Sequence, residues 1–479
     1  MLKRLLIVVC AAGLLAPAAR AADLWEVWQL ATQNDPAFLQ ARATRNASMQ
    51  AEPLAWSRLF PSIDLSASRT WTNSTGERSQ TDLSSGNLVN LRTASNGRQD
   101  QWGATLTQTL FNWEQFMAVQ GADYTVAKAQ ADYQVALQQL MLQVAQTYFN
   151  VLNREDVLAA DAANLKALQR QYQQTQQQYD VGLIAVTGVR QAQAGYEQAR
   201  AQVIRDRQLL AQAREALRAI TGRFLSHLQT PGQDLPLQPP QPSNVQAWVS
   251  TALQENPGLA SSRFAQKLAE TQVSQQRSGY MPTLNLVLQR LHSSAEGNAS
   301  ACFGGTCFPA RPNPSSGVTN TIGLQLSWNI FNGGGTRAAV KQEMYQADAA
   351  MAAQIAEQRT VTQNVRNAYL AVLSGIAQVK ATRQAVEASR LSLEATEAGL
   401  EVGTQTTLDV LTARKNMLSA QKSYFNARYD YLISVLQLEA AAGTLSPEDL
   451  KRLNEWLGSS GGTQTPASAT GAYPAPAEG

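Results

Sequence analysis

The segments Ala145-Gln146-Thr147-Tyr148-Phe149-Asn150-Val151-Leu152 and Arg366-Asn367-Ala368-Tyr369-Leu370-Ala371-Val372-Leu373 share one pattern and are offset by 221 in the numbering. The same offset links Asn34-Asp35-Pro36 to Glu255-Asn256-Pro257, Phe60-Pro61-Ser62-Ile63 to Met281-Pro282-Thr283-Leu284, and Val181-Gly182 to Val402-Gly403. Leu110-Phe111-Asn112 and Ile330-Phe331-Asn332 are offset by 220, so one residue is inserted just beyond them. The chain is written twice. Residues 22–222 form the first repeat and 245–443 the second, joined by a proline-rich connector at 223–244. Residues 444–479 follow, with a Gly/Ser/Thr/Pro/Ala-rich tail expected to be disordered from about residue 457.

Around the matched octapeptides lies a proline-free stretch, 113–180, in which Leu137, Val144, Val151, Leu158, Leu165, Tyr172 and Tyr179 recur at every seventh position. The second repeat keeps this register through Val365, Val372, Val379, Val386, Leu393 and Leu400 in a helix expected at 336–401. A heptad sustained this long signifies coiled-coil packing. At 1.5 Å per residue each helix would extend roughly 100 Å. Each ends at a glycine turn and returns as a shorter helix, 184–222 or 404–443. An initial helix, Leu24 to about Leu59 or Val245 to about Tyr280, together with the returning helix, matches the length of the long one. Two short helices can therefore stack beside one long helix.

Between initial and long helices the period changes from helical to two. Ile63, Leu65, Ala67 and Trp71 alternate with Ser62, Asp64, Ser66, Ser68 and Thr70; Ile322, Leu324, Leu326, Trp328 and Ile330 alternate with Thr321, Gly323, Gln325, Ser327 and Asn329. The expected strands are 62–72, 99–111, 283–292 and 319–331, with polar outer loops at 73–98 and 293–317. A half-wet antiparallel sheet would alternate too. A membrane barrel gains support from strands of about ten residues and from Trp71, Trp102 and Trp328, whose rings suit the headgroup level. Four strands cannot close around water, and open edges are not tolerated in lipid, so the chain must associate. Three copies would supply twelve strands.

The amino terminus gives the compartment. Residues 1–21 read as a signal peptide, with Lys3 and Arg4, an apolar core, and Ala19-Arg20-Ala21 at the cleavage site. Cys10 lies inside the apolar core, so no lipid anchor is expected. The Lys and Arg total of 39 includes Lys3, Arg4 and Arg20, and the signal segment contains no acid; its removal leaves 36 basic against 36 acidic. A neutral mature chain without a basic run excludes a nucleic-acid binder. Two histidines and no His/Cys cluster leave no metal site, and no cofactor is indicated. No nucleophile–base arrangement is legible, so catalysis has no support. Gly333-Gly334-Gly335 lacks the Lys-Ser/Thr of a phosphate loop and reads as a flexible corner. Cys302 and Cys307 flank a short spacer and are expected to form a surface disulfide in an oxidising compartment.

The doubled half-repeat, the corners Leu110-Phe111-Asn112 and Ile330-Phe331-Asn332-Gly333-Gly334, and the turns at 179–187 and 401–411 together resemble the TolC family of outer-membrane channel proteins. The resemblance covers essentially the whole mature chain. It implies a mainly α fold with transmembrane β: a homotrimer whose twelve-stranded barrel in the outer membrane of a Gram-negative bacterium continues as a periplasmic helical tunnel. It also implies docking to a periplasmic adaptor and an inner-membrane pump, and passive export of drugs or unfolded polypeptides.

In that family the turns, here Gly182 and Leu183 and Gly403, Thr404 and Gln405, form the periplasmic tip. Asp409 matches a position whose carboxylates ring the pore constriction in the trimer; the alternative is a helix N-terminal aspartate favoured by the dipole. Thr412 replaces a second aspartate found in some relatives, and Gln405 and Gly188 replace an arginine–aspartate latch. Weaker charge selectivity and a differently held closed state are therefore expected. The competing functional class is a periplasmic coiled-coil adaptor or scaffold, which accounts for the heptads but not for the paired strands.

Overall fold

The computed structural model describes residues 21–81, 86–232, 235–303, 306–312 and 314–458. Almost all of the expected signal peptide and the tail from residue 459 fall outside these residues. In chain order the elements are α1 Leu24–Asn34, α2 Pro36–Ser48, α3 Ala51–Ser57, β1 Ser62–Thr81, β2 Leu88–Phe111, α4 Trp113–Asp180 and α5 Val186–Thr221. There follow α6 Val245–Glu255, α7 Pro257–Gln276, a 3-10 turn at Arg277–Tyr280, β3 Thr283–Phe303, β4 Thr306–Pro312, β5 Ser315–Ser327, α8 Gly335–Glu401, α9 Thr407–Ala442 and α10 Pro447–Gly458.

Several boundaries differ from expectation, each for a local reason. The initial helix of each half is broken. Asp35 and Asn256 take extended backbone (φ/ψ −66/119 and −65/118) because each precedes a proline. Their side chains then cap the next helix, accepting from Phe38 N at 2.8 Å and Leu259 N at 3.0 Å. The segments 73–98 and 293–317, expected as loops, are largely strand: β1 and β2 pair in unbroken register from Ser62↔Thr107 to Thr81↔Leu88. Their polar residues occupy both faces, which erases the hydrophobic alternation but leaves the ladder intact. The last strand ends at Ser327 rather than Phe331. The returning helices begin at Val186 and Thr407, slightly later than expected.

The chain divides into two compact units: residues 1–44, 131–260 and 356–479, and residues 45–130 and 261–355. The first unit is helical and holds the core. Met141, Val144, Tyr148, Val151 and Leu152 of α4 meet Tyr429, Tyr431, Leu432 and Leu436 of α9, with Leu24 and Leu450 closing the cluster, all buried. Full burial of each such side chain contributes about 1.5–3 kcal/mol before conformational entropy is charged against it. Of the heptad positions in α4, Val144 and Val151 are buried and Leu137 and Leu158 partly so; in α8, Val365, Val372, Val379 and Leu393 are buried. The tyrosine hydroxyls at this core have partners. Tyr148 Oη donates to Gln229 O at 2.7 Å, and Tyr369 Oη, its counterpart in the second repeat, to Ser243 O at 2.5 Å.

The first residues described are stitched into this unit. Ala22 N donates to His227 O at 2.9 Å and Gln229 N to Ala22 O at 3.0 Å. Leu24 N donates to Asn454 Oδ1 at 3.0 Å, and Asn454 Nδ2 to Asp23 Oδ2 at 3.0 Å.

The second unit is built on one antiparallel sheet in the order β1-β2-β3, with β4 and β5 in line on the far side of β3. Pro312 ends β4 and Pro314 precedes β5, where a missing N–H interrupts the ladder. One face carries Ile63, Leu65, Ala104, Leu106, Leu286, Leu288, Ile322 and Leu324; the other is mostly Ser, Thr and Gln. Within the chain β1 and β5 each pair on one side alone, and the apolar face is open, with Leu65 83% exposed.

Candidate functional site

The turns that join long and returning helices are the best-defined candidate site. In the first, Gly182 has φ +79°, a conformation that strains any side chain with a Cβ. Leu183 N reaches back to Gln178 O and Gly182 N to Tyr179 O, both at 2.8 Å, satisfying carbonyls the helix end would leave bare. In the second, Gly403 has φ +78°, and Thr404 N and Gln405 N donate to Gly399 O at 2.8 and 3.2 Å. Val181, Leu183, Val402 and Leu408 stand exposed at these ends.

The helices that leave the turns start differently. Ala185 precedes α5 and offers no side-chain cap. Thr406 precedes α9 in a complete capping box: Asp409 N donates to Thr406 Oγ1 at 3.3 Å, and Thr406 N donates to Asp409 Oδ2 at 2.8 Å. Thr406 Oγ1 also donates to Asp409 Oδ2, at 2.7 Å. The bonds from Thr406 hold the Asp409 carboxyl below the usual aspartate range. Both use Oδ2. Gly188 occupies the position of the first repeat that corresponds to Asp409, and without a side chain it cannot reproduce the box.

Above the turns, α4, α5 and α9 enclose a groove of about 700 Å³ between Leu168, Leu411 and Leu418, with Arg414, Lys415 and Lys422 on its wall. At one end Asp161 is nearly buried, its side chain 2% exposed, and lies 2.7 Å from Lys422 Nζ, which is 26% exposed. Burial pushes the Asp161 carboxyl up to about 6, and a hydrogen bond with Asp206 adds to the rise, while Lys422 opposes it. Gln202 Nε2 donates to both oxygens of Asp206 at 3.1 Å. Nearby Tyr429 Oη donates to Asp156 Oδ2 at 2.6 Å, and Arg214 pairs with Glu155 at 2.8 Å. Sequence reasoning passed over this node. Its signal was Asp161 itself, just under one helical turn after Leu158 and so on the apolar stripe.

In the sheet unit, Trp71 and Trp102 lie mid-strand rather than near strand ends, because the strands overrun the apolar segment. They mark where apolar alternation gives way to charge. Trp102 lies against His292 with ring centroids 5.3 Å apart. Trp328 follows β5, its Nε1 donating to Tyr280 O at 3.1 Å. Cys302 and Cys307 face one another across β3 and β4, Cα atoms 3.9 Å apart and sulfurs at bonding distance. Among the described residues no group of His, Cys, Asp and Glu could hold a metal, and no helix is long and apolar enough to cross a membrane.

The profile of the family described as Outer membrane efflux protein matches residues 27–223 and again 248–444. Outer membrane protein TolC of Escherichia coli (strain K12) is 34% identical over 441 residues, 91% of this chain and 85% of that protein. Alkaline protease secretion protein AprF of Pseudomonas aeruginosa is 27% identical over 91% of this chain and 88% of its own length. Among solved structures, the Campylobacter jejuni CmeC outer membrane channel superposes with a TM-score of 0.69 at 20% identity, covering 91% of this chain and 89% of that one.

Proposed function

We propose, on the premise that this chain belongs to the outer membrane efflux protein family, that three copies assemble into a passive exit duct of the outer membrane. The carrying observation is the sheet. Its apolar face is open, and β1 and β5 have free edges that run antiparallel to one another through the order β1-β2-β3-β5. An even number of strands per chain lets neighbouring copies pair β5 to β1 and close a twelve-stranded barrel without an edge. A water-soluble scaffold would leave Leu65, Ile322 and Leu324 in solvent without purpose.

The doubled half-repeat supplies each copy with two long helices for a periplasmic tunnel, and Trp71, Trp102 and Trp328 anchor the barrel at the lipid interfaces. Cys302 and Cys307 close the second outer hairpin as a disulfide. A periplasmic adaptor and an inner-membrane pump engage the helical end and supply the energy. AprF is named for protease secretion, and antibiotic efflux pump outer membrane protein ArpC of Pseudomonas putida, 25% identical, for antibiotic efflux; both polypeptides and small molecules are cargo classes consistent with such relatives.

The tip turns form the entrance, and three Asp409 carboxylates ring it, Oδ2 serving the cap and Oδ1 facing the pore. The test is conductance of the reconstituted mature protein in planar bilayers. Asp409→Ala is expected to lose cation preference and block by multivalent cations; unchanged preference and block would remove the ring. A soluble monomer, released without detergent, would remove the duct.

A further inference from the structure

We infer that the outward face of the sheet, at its hairpin end, carries a binding site for the phosphorylated sugar headgroup of an outer-leaflet glycolipid. The inference rests on the reading that this face meets lipid. On that face the register sets side chains in rows: Ile63, Leu106, Leu288 and Ile322; then Leu65, Ala104, Arg290 and Asn320; then Ala67, Trp102, His292 and Val318; then Arg69, Asp100, Ser294 and Ser316. The outward face carries four arginines, Arg69, Arg92, Arg98 and Arg290, and three acids, Glu77, Asp100 and Glu296, all on the hairpin side of the row of Ile63 and Leu106. The end that leads into the helices carries Trp328 and leucines. A rim charged on one side only, with arginines in slight excess over acids, suits a membrane that presents phosphorylated glycolipid in its outer leaflet.

The charges are organised. Arg69 grips Asp100 with Nε at 2.6 Å and a terminal nitrogen at 3.0 Å, and Arg98 bridges Asp100 at 3.3 Å and Glu296 at 3.1 Å. Each guanidinium has five N–H donors, so the carboxylates fix two arginine planes and leave donors free on both. Arg290 has no hydrogen-bond or ion-pair partner among the described residues. It sits deepest, at the edge of the apolar rows, where an uncompensated cation is costly and must reach outward to an anion. Phosphate oxygens suit such forks better than any neutral headgroup.

Beside the arginines lies a hollow of about 710 Å³. Trp71, 72% exposed, forms one wall, and Asn73, Asn96 and Asn298 of a single row supply amides. An exposed indole beside three amides suits a sugar ring, the indole against its apolar face and the amides toward its hydroxyls. Gly97 and Gly297 pair at this level so closely that a Cβ on Gly297 would lie 2.5 Å from Asn96 O, which fixes the backbone beneath the site. Cation fork, aromatic wall and adjoining apolar strip select one molecule that carries phosphate, sugar and acyl chains together.

The test uses the delipidated, detergent-solubilised trimer and bisphosphorylated lipid A in mixed micelles, against the same lipid enzymatically dephosphorylated. Wild type is expected to bind the phosphorylated form about tenfold or more tightly, and Arg98→Gln/Arg290→Gln to lose that preference. Trp71→Ala should weaken both lipids equally. No preference in wild type, or full preference in a variant that still runs as a heat-resistant trimer, overturns the inference. Displacement by millimolar inorganic phosphate would also overturn it, identifying a simple anion site. If no trimer forms in outer membranes, the duct reading fails instead.

Discussion

The two tip turns reverse the chain through nearly the same backbone, with glycines at φ +79° and +78°, yet they hold the helices that follow by different means. The second turn carries Thr406 and Asp409 in a reciprocal box; the first has Ala185 and Gly188 at the corresponding positions. The contrast reverses farther along the long helices. There the first half contributes the nearly buried Asp161 and Asp206, where the second has Thr382, bonded to its own backbone, and the buried Ala427. The second half returns Lys422 to the acids of the first. The two halves share the backbone devices, which depend on glycine and proline, and differ in the polar ones. Each half now supplies a bond the other lacks: the second secures the tip, the first the node above it.

The largest effect is expected at the shared tyrosines. Tyr148→Phe strands the half-buried carbonyl of Gln229 beside a fully buried ring, since Ala22 O keeps its bond from Gln229 N, and should cost about 1–3 kcal/mol. Tyr369→Phe bares only the part-exposed Ser243 O and should cost less, about 1 kcal/mol. Denaturant midpoints of the two variants decide it; equal losses would mean the halves share the core evenly. Next, Thr406→Ala should cost about 1 kcal/mol and speed amide exchange at the start of α9, with α5 unchanged. Ala185→Thr with Gly188→Asp should transplant the box and slow exchange at α5; added Cβ contacts at Gly188 are ordinary, 3.6 Å or more.

The smallest effects come from pH and have opposite signs. Asp409 has a depressed pKa in the folded chain, so its contribution holds at neutral pH and fades as pH falls through the folded value. Asp161 has a raised pKa, about 6, so the folded state binds more protons and the node gains stability as pH drops from 7 toward 5. Hydrogen exchange at pH 7 and 5 should therefore show slower opening around Asp161 and no change in Asp161→Asn. Faster opening on acidification would mean that the bond to Lys422 outweighs desolvation.

The long helices and their turns were legible because heptads and a turn glycine leave period and punctuation in the sequence. The register of the inner strands was legible for the same reason: Ile322, Leu324 and Leu326 alternate cleanly. The outer strands were not, since Asn73, Thr75 and Glu77 on one face are as polar as Thr72, Ser74 and Gly76 on the other. Nothing in composition separates such a ladder from a loop. In sequence Asp409 suits both a ring and a helix start; the capping box fills the second role with Oδ2 and leaves Oδ1 for the first. The acid node stayed hidden because burial of a carboxylate depends on Lys422, distant in sequence.

The opening helix is capped by Asp23, and both its first N–H, on Leu24, and the Asp23 carboxylate are bonded to the side chain of Asn454, far downstream in the chain. Because export begins from the amino end, that knot cannot be drawn until almost the last turn of helix has emerged into the periplasm. The first turn of the opening helix therefore lacks these bonds until its distant partner arrives. Shortening the chain before Asn454 should jam biogenesis rather than merely trim a finished duct.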